Sequence, residues 1–191
     1  QRQMCIRDSY TTISPSMDIL VSSNLERLLY HLCGEDTEKL TGWMNALQSG
    51  GAYTVDAATA DAVRALFYGG CCDDEETVEV IRNTFEKDGY LCDTHTAVAV
   101  GVYEQYLKET GDKTPAVIAS TASPYKFPDS MLDAFDCEKP ADPFAEAELL
   151  AKLSNTKIPA PITALRTKPV RFENTCAAAD MADFVRETVR V

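Results

Sequence analysis

Histidine is scarce in this chain. His31 and His95 are the only two among 191 residues, and tryptophan occurs once. With two histidines, neither a Ser-His-Asp arrangement nor a histidine-rich metal centre can be built from the pattern. No basic run is present, and the formal net charge is -12. A surface of that sign repels phosphate backbones and anionic lipid, so nucleic-acid and membrane partners are excluded as expectations. No apolar stretch reaches the about 18 residues that suggest a membrane-spanning helix, and the opening residues carry no secretory-signal pattern. There is no C-x-x-C, no P-loop, no G-x-G-x-x-G and no G-x-S-x-G. The seven cysteines are odd in number and irregularly spaced, which argues against a disulfide framework and for reduced thiols in a cytoplasmic protein.

What is present reads as a soluble globular chain with interleaved helices. Residues 1–9, QRQMCIRDS, show no periodicity and read as a non-native flank of the kind that translated adapter sequence leaves. On that reading the natural protein continues upstream of about Tyr10. Ser23-x-x-Glu26 has the spacing of a capping box ahead of the Leu25, Leu28, Leu29, Leu32 stripe, with Gly34 as the stop. Asp36 to Gln48 predicts a second helix, Ala52 to Val55 a short strand, and Asp56 the cap of a third helix carrying Val63, Leu66 and Phe67. The acidic run Asp73 to Glu76 suits a helix N-terminus, where carboxylates oppose the dipole. A buried helix is predicted after Asp93, through Ala97 to Tyr103 and on to Leu107. Pro128 and Asp129 open another, with Met131, Leu132 and Phe135 inward. Asp136 to Pro143 reads as a linker, Phe144 to Leu153 as a small helix and Ile158 to Pro161 as a proline-rich corner. Val170 to Phe172 suggests an edge strand, and Met181 to Thr188 a closing helix.

The chemistry is sought at Ala116-Val117-Ile118-Ala119. A short apolar run with branched residues between two helical patterns predicts a strand buried on both faces, hence an α/β fold with helices around a mostly parallel sheet. Ligands of such folds bind beyond the carboxyl ends of the strands. Ser120, Thr121 and Ser123 would put three hydroxyls there, able to bind a ring nitrogen or a phosphate, or equally to cap the next helix. His95 is open to an acid-base role or to simple orientation of its helix start. Lys126 is either an anchor for an anionic substrate or a surface lysine.

Three segments together resemble one family. Thr12-Ile13-Ser14-Pro15-Ser16-Met17-Asp18-Ile19 with Ser22-Ser23-Asn24-Leu25-Glu26-Arg27-Leu28 is similar to the S-M-D-I…S-N-x-E-R-L stretch of bacterial threonine synthases. Gly89-Tyr90 through Asp93-Thr94-His95-Thr96-Ala97-Val98-Ala99 resembles their G-Y…D-P-H-T-A-V-A segment, with Thr94 where the family often has proline. Ser120 to Phe127 resembles their T-A-S/H-P-x-K-F motif. The resemblance implies a C-terminal part of a fold-type II pyridoxal-phosphate (PLP) enzyme that turns O-phospho-L-homoserine and water into L-threonine and phosphate. It implies that Thr121 meets the pyridine nitrogen, that Ser120 is a weaker cofactor candidate, and that His95, Ser123 and Lys126 border the cleft. The Schiff-base lysine is expected upstream, in a missing N-terminal half, so this piece alone is expected to be inactive. Residues 10–135 are assigned to the PLP-binding domain and 136–191 to a linker and helical tail packed on it. A non-catalytic threonine-synthase-like binding protein and another lyase of the same fold type, such as a dehydratase, remain alternatives.

Overall fold

The computed structural model describes residues 11–19, 21–171 and 173–189. Among them there are helices and loops and no strand. The expectation of an α/β fold is therefore corrected: the described part is all-helical. Ala116 to Ala119 has neither strand nor helix, and Val117 is 98% exposed. A strand exists only as a ladder of paired N–H and C=O groups. No other described segment offers that pairing, so the composition of this run is not enough to make it one. Ala52 to Val55 is likewise loop. The predicted edge strand includes Phe172, which lies outside the described residues, and so does the proposed flank of residues 1–9.

The helices form for local reasons that the sequence carries. α1 (Ser23–Leu32) is capped by Ser22, whose hydroxyl accepts from the Leu25 N–H at 3.3 Å. The cap stands one residue before the Ser23 position that the capping-box spacing suggests. α2 (Thr37–Gly50) is capped by Asp36 and stopped by Gly51, whose φ of 74° a residue with a Cβ adopts only under strain. α3 (Ala57–Leu66) starts from Asp56. α4 (Asp74–Asp88) opens on a complete capping box between Asp73 and Glu76. The acidic run thus has its helix-dipole role, and no group of metal-ligating residues occurs among the described residues.

α5 (Thr94–Thr110) packs along α4. The approach is close at Gly101, where a Cβ would stand 2.7 Å from Cys72 Sγ. The sequence predicts a helix buried along its length, but only its first turn and Gly101 are fully covered. α6 (Pro128–Leu132) inserts Met131 and Leu132, both fully buried, and packs on α7 (Pro143–Ser154) through Ala147 and Leu150. Phe135 meets Phe85 edge-on at 5.3 Å, and Arg82 Nε donates to the Ala134 carbonyl at 2.9 Å. These contacts tie the turn after α6 to α4. The expected linker is held too: Lys139 pairs with Asp129 at 2.9 Å and Asp133 at 2.7 Å.

The chain divides into a first compact unit ending at Lys157 and a second from Ile158. The second contains α8 (Ala160–Leu165) and α9 (Met181–Thr188). The proline-rich corner is in fact the start of α8, because Pro161 falls in its first turn, where no intrahelical N–H is needed.

Candidate functional site

Asp93 organises the candidate site. As the N-cap of α5 it accepts from the backbone N–H groups of His95 at 3.0 Å and Thr96 at 3.4 Å. The motif D-x-H-T explains the geometry. Residues two and three beyond an N-cap carry the N–H groups that need an acceptor, and their side chains return to the same carboxylate. His95 Nδ1 lies 3.1 Å from Asp93 Oδ1, and the Thr96 hydroxyl bonds to Asp93 Oδ2. Leu91 to Ala97 is buried throughout. Within that stretch, burial pushes the Cys92 thiol up to about 11, which keeps it protonated and unreactive at neutral pH.

His95 is a connector. Its Nε2 accepts from the Ser16 N–H at 3.2 Å, and its ring lies 5.3 Å from that of Phe127. It joins the segment around Ser16 to the start of α5. That segment is closed on itself by Asp18, which accepts from Thr12 N and Thr12 Oγ1, both at 2.8 Å. The histidine is 8% exposed with both ring nitrogens engaged.

Ser120 sits at the outer end of the same cluster. Its Oγ lies 3.1 Å from Thr96 Oγ1 and 3.3 Å from the Tyr90 hydroxyl. Ser123 caps the short turn Pro124–Lys126 by accepting from the Tyr125 N–H at 3.3 Å. Buried Tyr125 anchors that turn through a 2.6 Å bond to Thr156. Lys126 is exposed, with Nζ 5.2 Å from the centre of the Phe127 ring. Thr121 is exposed, and among the described residues its hydroxyl forms no hydrogen bond. The structure therefore links His95, Ser120 and Phe127 around Asp93, and leaves Thr121 and Lys126 facing solvent nearby in sequence. An open hollow of about 460 Å³ along α2, lined by Thr37, Glu38, Thr41, Gly42 and Asn45, lies on another element.

Sequence reasoning overlooks Thr96, Tyr90 and Ser16. For Thr96 a signal existed, since a threonine three residues after an aspartate cap faces that carboxylate. For Tyr90 and Ser16 none did, because their partners are 30 and 79 residues away.

Residues 96–185 match the family described as "Threonine synthase, C-terminal". Across that C-terminal region the chain is a relative of the threonine synthases. It is 39% identical over 127 residues to the threonine synthase of Schizosaccharomyces pombe, covering 61% of this chain and 25% of that protein. It is 34% identical over 143 residues to the threonine synthase of Pseudomonas aeruginosa, covering 75% of this chain and 30% of the relative. A crystal structure of PLP-bound threonine synthase from Brucella melitensis superposes with a TM-score of 0.76 at 32% identity, over 97% of this chain and 36% of that one. The chain thus spans about a third or less of the length of these threonine synthases.

Proposed function

We propose that this chain contributes the ring-nitrogen side of a PLP site in a threonine synthase that converts O-phospho-L-homoserine and water to L-threonine and phosphate. The observation that carries the reading is Thr121: an exposed hydroxyl with no partner among the described residues, next to a Ser120 that is tethered to the α5 start. A pyridine nitrogen is a hydrogen-bond acceptor, and a free hydroxyl is the neutral donor that suits it. The residues present therefore fit the cofactor at this position.

When bound, PLP supplies the electron sink that lets protons leave carbon. The contribution of this chain is to hold that sink in place and set its depth. A neutral Thr121 donor leaves the ring nitrogen less cationic than a carboxylate partner would, which suits loss of the γ-phosphate and addition of water at Cβ. Lys126 offers a positive charge to the phosphate of the substrate. Asp93 and His95 keep the loop before α5 and the segment around Ser16 in register. The Schiff-base lysine and the cradle for the cofactor phosphate belong, on this reading, to the larger share of the relatives that the chain does not span, and the protein works in the cytoplasm.

The test is substitution of Thr121 in the protein made from its complete gene. Thr121→Ala and Thr121→Asp each lower turnover of O-phospho-L-homoserine by about tenfold or more, the scale of one hydrogen bond made to a reacting group. Unchanged turnover in both variants defeats the ring-contact role.

A further inference from the structure

The loop 67–73 between α3 and α4 carries two adjacent thiols in different surroundings. Cys71 is exposed. Cys72 is half-buried against α5. Its Sγ fills the notch at Gly101, where a Cβ would stand 2.7 Å away, and its thiol donates weakly to the Val98 carbonyl at 3.9 Å. Gln105, one more turn along the same face of α5, holds both residues. Its Nε2 donates to the Cys71 carbonyl at 3.0 Å and lies 3.8 Å from Cys72 Sγ. Asp73, the next residue, caps α4: its N–H donates to the Glu76 carboxylate at 3.0 Å, and its own carboxylate accepts from the Glu76 N–H at 2.8 Å. Asp74 in turn accepts from the Ile13 N–H at 3.1 Å. A turn of the backbone at the two cysteines therefore reaches α4, α5 and the segment that leads to Ser16.

We propose that Cys71 and Cys72 are an oxidation-sensitive pair that a neutral hydroperoxide closes to a disulfide, and that closure lifts Cys72 out of the Gly101 notch and loosens the start of α4. The proposal stands apart from the PLP reading. Cys71 is the attacking thiol because it is exposed, whereas burial first and Glu76 next push the Cys72 thiol up and keep it protonated. The Cys71 thiolate attacks one peroxide oxygen, breaks the O–O bond and becomes a sulfenic acid, and the departing hydroxide takes up a proton as water. Cys72 sulfur then attacks Cys71 Sγ, forms the S–S bond and expels the sulfenic oxygen as a second water. The two thiols lose two electrons and the peroxide gains them. Asp73, Asp74, Glu75 and Glu76 follow the pair directly, so an anionic oxidant such as glutathione disulfide is repelled and an uncharged peroxide is not. Adjacent Cα atoms are about 3.8 Å apart across a trans peptide, closer than the about 4.4 Å at which disulfides usually begin. With one side chain in water and the other in the notch, the bond forms only if the backbone turns and Cys72 leaves its seat.

The experiment treats the whole protein, made from its complete gene, with hydrogen peroxide. The peptide carrying both cysteines is expected to lose about 2 Da, the mass of the two departing hydrogens, and dithiothreitol restores it. Cys71→Ser keeps Cys72 as a thiol, and Cys72→Ser instead gains oxygen at Cys71. The Glu76 and Thr77 N–H groups bond to Asp73. Their hydrogen exchange rises about tenfold on oxidation, the size of one lost hydrogen bond, while amides of α7 keep their protection. Glutathione disulfide closes the pair about tenfold more slowly than cationic cystamine at the same concentration.

A parent protein that gains oxygen at Cys71 while Cys72 stays a thiol overturns the pair. Closure with unchanged exchange at Glu76 and Thr77 overturns the link to α4. Equal rates for glutathione disulfide and cystamine overturn the choice of an uncharged oxidant. The mass of the oxidised parent decides closure even where a serine variant does not fold.

Discussion

Asp93 shows how much one side chain can do when it serves both a helix and a cluster. It caps α5, holds the imidazole of His95 and accepts the Thr96 hydroxyl, all with almost no contact with water. Removing a buried carboxylate that satisfies several donors leaves each of them unpaired, so Asp93→Ala costs about 3 kcal/mol or more of stability, measured by urea unfolding. The cysteines permit a test at the same scale. Cys71 and Cys176 are exposed, whereas Cys92 is buried with its thiol raised to about 11. Iodoacetamide at pH 8 is expected to label the first two in the folded protein and to reach Cys92 only after unfolding, as peptide mass analysis would show.

At the scale of the element, the helices are specified by their ends. Asp36, Asp56, Asp73, Asp93 and Asp142 each accept from backbone N–H groups at a helix start. Two polar clusters make this pH-dependent. The Thr59 N–H first, and then Lys39, hold the Asp56 carboxyl down to about 2 from its ordinary 3.8. The Lys39 ammonium lies 2.9 Å from Asp56 Oδ2. Asp112 is likewise held down to about 2, mainly by the Tyr106 hydroxyl and then by Thr114. A depressed carboxyl stabilises the fold fully above its unfolded pKa and loses that contribution as pH falls through the folded value. The α3 start and the turn at Asp112 are therefore intact at pH 5 and weaken between about pH 4 and pH 2. Chemical-shift titration of the two carboxyls follows the change, and Asp56→Asn removes its share of the acid sensitivity. Gly101 supplies a packing test. Gly101→Ala sets a methyl 2.7 Å from Cys72 Sγ and 3.2 Å from Val80 Cγ2. It is expected to cost about 1–3 kcal/mol in thermal or urea unfolding through overpacking of α4 on α5.

For the whole molecule, the informative residues are the apolar ones left in water. Val117 is 98% exposed, Val170 75%, Leu66 67% and Ile19 59%. Large apolar side chains in solvent mark surface that something else covers or that drives association. The 191-residue chain expressed alone is accordingly expected to self-associate, which sedimentation velocity would detect. On the proposed reading it also shows no threonine formation when PLP and O-phospho-L-homoserine are supplied. A monodisperse monomer that makes threonine contradicts both expectations.

The helix starts were legible because an N-cap is a local event. An aspartate or serine meets N–H groups two or three residues ahead, and no distant residue has to be known. The family was legible through D-x-H-T-A-V-A and S-T-A-S-P-Y-K-F, which keep their order whatever the fold around them. Ala116 to Ala119 misled because a strand is a property of two segments, and one segment can show only that it is apolar and branched. The same reason hid the bonds from Ser16 to His95 and from Tyr90 and Thr96 to Ser120, which join residues 24 to 79 positions apart. The sequence by itself determined most of the helices, the aspartate caps at Asp36, Asp56 and Asp93, and the likeness to threonine synthases. Only the tertiary structure decided that Ser120 is tied to Tyr90 and Thr96, because those partners meet it only when the chain folds.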